Sequence, residues 1–201
     1  MSKKTLAIVL CICQLLTVTG CRKVESLHIS DVNEETVMIR SDGTVQSGSY
    51  EVFEEPYYKE ADLKEFMNET IDQFNEEHGK DSVKLSQFTI DKSGKKKIAK
   101  AIFTYNSISS YSALNQIEAN CYTMEEAVEA GILPEILNVA SDGSRVERDE
   151  VTAKKEYKVL TIQAKANIML PESVQYYVNA MLLSLKTAET TGEELAVIVY
   201  K

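Results

Sequence analysis

The chain has 201 residues, 44% of them hydrophobic and 26% charged, with 31 acidic against 22 basic side chains and a formal charge of −9. The acidic balance argues against a nucleic-acid binder, because neutralising phosphates needs clustered Lys and Arg. The length suffices for one packed domain or two small ones, and the ordinary apolar content argues against long disordered tracts.

The first residues have the three parts of an export signal. Lys3 and Lys4 give a positive start, and residues 6–16 (LAIVLCICQLL) form an apolar run broken only by Gln14. Eleven helical residues rise about 16 Å, roughly half of what a bilayer core demands, so a removable signal fits better than a spanning anchor. Val18-Thr19-Gly20-Cys21 then resembles the bacterial lipobox at every position. In such a site the cysteine thiol is alkylated by a diacylglycerol before cleavage makes it the new N-terminus. Two acyl chains anchor stably where one holds only marginally, so Cys21 is expected to tether the protein to the outer face of a bacterial cell membrane. Loss of residues 1–20 leaves 181 residues, with 20 basic against 31 acidic side chains and a formal charge of −11. Cys11 and Cys13 leave with the signal and Cys21 carries lipid, so Cys121 stays free and no intramolecular disulfide is expected.

Residues 21–35 are polar with no sustained period and read as a lipidated tether, about 20 Å long on average if flexible. A single globular domain is expected over 36–201, with a sub-division near 132–150 left open. Val37 and Ile39 alternate as in a strand. The Asp42-Gly43 that follows signals a hairpin with a type I′ turn. The returning strand covers 45–53, with an irregularity expected near Gly48. Leu63, Phe66, Met67, Thr70, Ile71 and Phe74 recur at helical spacing up to a stop at Gly79. A second hairpin joins 82–90 to 96–105 through a turn at 91–94, with Ala99, Ala101, Phe103 and Tyr105 on one face. Residues 107–120 look helical, and Thr123 with Glu126 forms a capping box for a helix ending at Gly131. Residues 133–149 read as loop, with a second Ser-Asp-Gly at 141–143. Residues 157–164 and 195–200 read as buried strands. Between them, 174–185 fits a helical period yet is rich in strand formers.

The lipobox, "IRSDGTV", "EPYYKEADLKEFMNETIDQFNEEHG", "FTYNSISSYSALN" and the closing "AVIVYK" together resemble small uncharacterised lipoproteins of Gram-positive, clostridia-like gut bacteria, over most of the mature chain. That group has no established activity, so the resemblance implies no catalytic residue. It does imply strand for 173–185. The fold class expected is α+β, with antiparallel β-hairpins packed against two or three helices.

No pattern carries catalysis. His78 at a helix end reads as a dipole partner. A metal site using Glu76, Glu77, His78 and Asp81 would need ligands that converge, whereas neighbours at a helix end diverge. Cys121 reads as a small buried apolar residue rather than a nucleophile paired with His78. Ser93 and Lys96 match a bare S-x-x-K, but on a turn where the penicillin-binding chemistry has no helix start. No enzyme activity, cofactor or metal is expected. Two surface features remain as contact candidates: a basic second hairpin tip formed by Lys92, Lys95, Lys96, Lys97 and Lys100, and the Tyr57-Tyr58 pair. The role expected is a protein-interaction or scaffolding module at the cell envelope, with an envelope protein or a glycan as partner. The alternative is a small-ligand or glycan-binding lipoprotein, and an envelope hydrolase ranks third.

Overall fold

A computed structural model describes residues 25–55, 57–94 and 96–201. The expected signal segment, Cys21 and Lys95 lie outside the described residues. Among the described residues thirteen strands form two sheets. The seven-stranded sheet runs β11-β12-β9-β1-β2-β4-β3 and the six-stranded sheet β5-β8-β13-β10-β6-β7. The strands of the two sheets are β1 (Thr36–Ile39), β2 (Val45–Val52), β3 (Val83–Asp91), β4 (Ile98–Tyr105), β5 (Ala119–Thr123), β6 (Ile136–Val139) and β7 (Arg145–Glu147). The series continues with β8 (Lys158–Ile162), β9 (Lys165–Met169), β10 (Val174–Val178), β11 (Met181–Ser184), β12 (Thr187–Thr191) and β13 (Ala196–Tyr200). Four α-helices are described: α1 (Glu60–His78), α2 (Ile108–Asn115), α3 (Met124–Glu129) and α4 (Arg148–Thr152). The α+β class with antiparallel hairpins is therefore observed, and sheet dominates it. Among the described residues only β1 and β9 pair in parallel.

The two sheets share a core. Val37 and Ile39 of β1, Val45 of β2 and Ile168 of β9 meet Leu160, Ile162, Ile198 and Tyr200 of the other sheet in one cluster. On the far side of β8 and β13, Val159, Val197 and Val199 pack under Met124 and Ala127 of α3 and under Leu137, Val146 and Val151. Burial on both faces explains why β8 and β13 are apolar at nearly every position. A third cluster on the outer face of the seven-stranded sheet joins Leu27, Val32, Met38 and Ile102.

That third cluster corrects the expected tether. Leu27 and Val32 are buried, and the Leu27 N–H donates to Gln46 Oε1 at 2.9 Å, so the fold begins well before residue 36. Residue 32 also explains Gly48. The pairing of β1 with β2 and of β2 with β4 runs through it without a shift. A Cβ at 48 would lie 2.7 Å from Val32 Cγ2, so the glycine makes room for a side chain, and the expected irregularity is absent. The first hairpin turn also differs from type I′, which needs positive φ at both central residues. Gly43 has φ +85° whereas Asp42 does not, and Gly43 N–H donates to the Arg40 carbonyl at 3.0 Å. Asp42 instead turns its carboxylate onto Thr44, accepting from its N–H at 3.0 Å and its hydroxyl at 2.6 Å.

The helix expected over 107–120 stops at Asn115, because Gln116 takes a left-handed conformation (φ 53°) and Ala119 starts β5. The capping box at Thr123 forms in both halves. The stretch read as loop over 133–149 holds β6 and β7, joined through Asp142-Gly143. Residues 174–185 are two strands, β10 and β11, separated at Asn179, whose φ of 56° suits asparagine.

Candidate binding groove

The inner face of β2, β4 and β3 changes character along its length. At one end Val45, Tyr105 and Val83 lie side by side, and Ile71 and Phe74 of α1 seat on this cluster. At the other end the same face presents Ser49 beside Ala101 and Phe88, then Glu51 beside Ala99. Leu63 and Met67 lie two turns and one turn before Ile71 on the same side of α1, so they project over these small residues. Among the described residues no side chain fills the space between. Leu63 and Met67 are half-buried where Ile71 and Phe74 are buried. The result is a cavity of about 450 Å³ between helix and sheet, lined mostly by apolar surface.

An aromatic flap covers one side of it. Phe53 stacks on Tyr58 with ring centroids 5.1 Å apart, and Tyr57 meets Tyr58 edge-on at 5.0 Å. All three rings line the cavity, and Tyr57 is 71% exposed. The Tyr58 hydroxyl is held above its ordinary pKa, first by Tyr57 beside it, then by burial and by Glu55, so it stays a protonated donor at neutral pH. Polar groups at the rim are Glu51, Lys59 and Asp62, the last two paired at 3.7 Å.

The structure brings the tyrosine pair and the lysine tip to the same end of the molecule. Phe53 N–H donates to the Lys97 carbonyl at 2.9 Å, and Lys92 Nζ lies 4.0 Å from Glu60 at the start of α1. Lys96 and Lys97 are exposed there. Lys100 is not part of that tip: it is buried, 3.9 Å from Asp91, with its ammonium over the Tyr50 ring. Phe66 also departs from expectation. It belongs to the helical apolar period, yet it is 65% exposed on α1.

The other candidates have structural partners. His78 stacks on Phe74 at 4.1 Å, as a ring covering the core. Among the described residues no three His, Cys, Asp or Glu side chains converge as a metal site. Burial pushes the Cys121 thiol up to about 11, and its hydrogen-bond partner is Tyr200. Ser93 is spent on its turn, its hydroxyl donating to Asp91 Oδ1 at 2.6 Å. A smaller cavity of about 240 Å³ lies beside Tyr105, Tyr111 and Asn115. Three of its side chains bond to one another: Tyr105 Oη lies 3.2 Å from Ser47 Oγ and accepts from Asn115 Nδ2 at 3.3 Å. Burial raises both tyrosine pKa values there, so these hydroxyls are packing groups and not acids. Among the described residues no helix is long and apolar enough to cross a membrane.

The groove was half visible in the sequence. Tyr57 and Tyr58 stand out by composition, and Ala99 and Ala101 by their shared face. That a helix overhangs the small residues is a tertiary fact, with no local signal. No family model, curated protein or solved structure matches this chain.

Proposed function

We propose that this protein is a lipid-anchored binding protein on the outer face of a bacterial membrane, and that it holds a small apolar or aromatic ligand in the groove between α1 and the β2–β4–β3 face. The observation that carries this reading is the groove itself. Its volume of about 450 Å³ falls in the range of small-ligand sites, which are mostly apolar with a few placed polar groups. Tyrosine rings, apolar on the face and polar at the tip, suit a planar or sugar-like ligand with a polar edge. Lipobox resemblance and export signal support the location.

The test is a thermal-shift screen of a chain beginning at Arg22, which contains every described residue. The probes are muropeptides, oligosaccharides, short peptides and haem. A ligand at 100 times its Kd should stabilise the fold by about 2.7 kcal/mol. In Ser49→Leu, which fills the floor of the groove, that shift should vanish while the unliganded Tm holds. A shift that survives Ser49→Leu places the ligand elsewhere and sinks the assignment.

A second reading, a protein-interaction module, is favoured by Phe66 and Val52, exposed at 65% and 47% beside the groove. It predicts no shift with any small probe. Instead, a photo-crosslinking residue at 66 should capture one discrete partner on intact cells, and the capture should be lost in Tyr57→Ala.

A further inference from the structure

At the edge of the seven-stranded sheet opposite the groove, β11 carries Leu183 at 49% exposure, and the turn after it carries Leu185 at 70%. Six strand spacings of about 4.8 Å separate this edge from β3, roughly 29 Å. Leu182, facing the other way, packs on the main core, so folding uses one side of β11 and leaves the other apolar and open. The tip is firmly held. Val174 N–H donates to the Leu185 carbonyl at 2.8 Å, and Leu170 N–H to the Lys186 carbonyl at 2.9 Å. Residues 180–188 contain one charge, Lys186, and no acidic side chain, on a chain that is otherwise strongly acidic.

The path of the chain identifies what covers this tip. Glu25 lines a cleft with Pro171, Lys186 and Thr187, and its carbonyl accepts from Arg40 Nε at 3.0 Å, which fixes it there. Only three residues lie between Cys21 and Glu25, a reach of at most about 14 Å between them. A lipid on Cys21 therefore holds the Leu183–Leu185 tip within reach of the bilayer that carries it. We propose that Leu183 and Leu185 insert into the interfacial layer of that bilayer as a second membrane contact, with Lys186 at the level of anionic headgroups. The inference rests on the reading of Cys21 as lipidated. Two contacts fix an orientation where one tether does not: the β11 edge faces the membrane, and the groove stands away from it.

The chain contains no tryptophan, so Leu185→Trp and Phe66→Trp each give a single-tryptophan probe. Both full-length chains are processed in a bacterial host and reconstituted into phosphatidylglycerol vesicles with brominated acyl chains. Mass spectrometry of the N-terminal peptide reports the lipid on Cys21. The expected result is loss of most Leu185→Trp emission to bromine quenching, with Phe66→Trp emission retained. Equal quenching of both probes means no preferred edge and overturns the contact. A blue-shifted but unquenched Leu185→Trp means that a second copy or another protein covers the tip, which also overturns it. Lipid present with Leu185→Trp solvent-exposed overturns this contact alone, whereas an unlipidated Cys21 overturns the anchored reading and this contact with it.

Discussion

The two ends of α1 rest on the same sheet face, yet one is packed and the other is open. At the packed end Phe74 and Ile71 are 8% exposed against Val83 and Tyr105, which are closed completely or nearly so. At the open end Met67 and Leu63 hang over Ser49, Ala99 and Ala101. Helix and strands are shared; β3 shifts its register between Leu85 and Gln87, and the β2 and β4 residues facing α1 shrink to Ser49, Ala99 and Ala101 beyond that point. A sheet can therefore carry its stability and its candidate binding site on one face, provided that small residues of neighbouring strands come together under one end of the helix.

Phe74→Ala tests the packed end and should have the largest effect. Deleting a buried phenylalanine costs about 3–5 kcal/mol, so Tm should fall by on the order of 10 °C in a domain of this size. His78, stacked on that ring, loses its support as well. A loss below about 1 kcal/mol by denaturant titration would mean that α1 is not seated as described.

Gly48→Ala probes the reverse side of β2, where the contrast should disappear. The outer face is close-packed right behind the groove, because a Cβ at 48 meets Val32 Cγ2 at 2.7 Å. Overpacking of this kind costs about 1–3 kcal/mol. In a Val32→Ala background the clash is gone and the glycine substitution should add little. Equal costs in both backgrounds would show that backbone conformation, and not Val32, demands the glycine.

How legible these features were depends on the range of the forces involved. α1 and the capping box at Thr123 are local, written at spacings of three and four residues, and both appear in the sequence. The hairpins of β1–β2 and β3–β4 are nearly local, and their alternation shows. The strands β9 and β12 escaped notice because each has little to alternate: Ile168 and Ala188 face the core among Lys165, Asn167, Glu189 and Thr191. β6 and β7 are four and three residues long, below the length at which a period can be read. In 174–185 the helical spacing of Val174, Tyr177, Val178 and Met181 is real, but two sheets compete for those residues and the pairing of β10 with β13 wins. The groove depends on an absence of volume, and an absence leaves no periodic trace.

The hairpin tip beside the groove offers a gentler test through pH. The Asp91 carboxyl sits below the ordinary carboxylate range, held by the Ser93 hydroxyl and then by the Ser93 N–H, with Lys100 adding to the effect. A depressed folded pKa contributes stability above the unfolded value, near 4, and that contribution is lost as pH falls through the folded value. Wild type should therefore be more stable than Asp91→Asn at pH 6, and the two melting curves should converge as pH drops below about 4. A gap that is constant from pH 6 to pH 2 would assign the difference to the side-chain amide and not to charge.

Met67→Ala should have the smallest effect and is the sharpest test of the open end. Its side chain is half-buried over a floor of alanine and serine, so truncation removes few contacts and creates no closed void. The expected cost is about 1 kcal/mol or less, well under that of a buried methionine. The same change removes one wall of the groove, so any ligand found by its thermal shift should lose affinity although the free protein barely changes. Were Met67→Ala instead to destabilise the free chain as much as Phe74→Ala, the helix would be closed onto the sheet in solution. The groove would then be an unfilled seam in the core, and the binding function would have to be sought at Phe66 and Tyr57 on the surface.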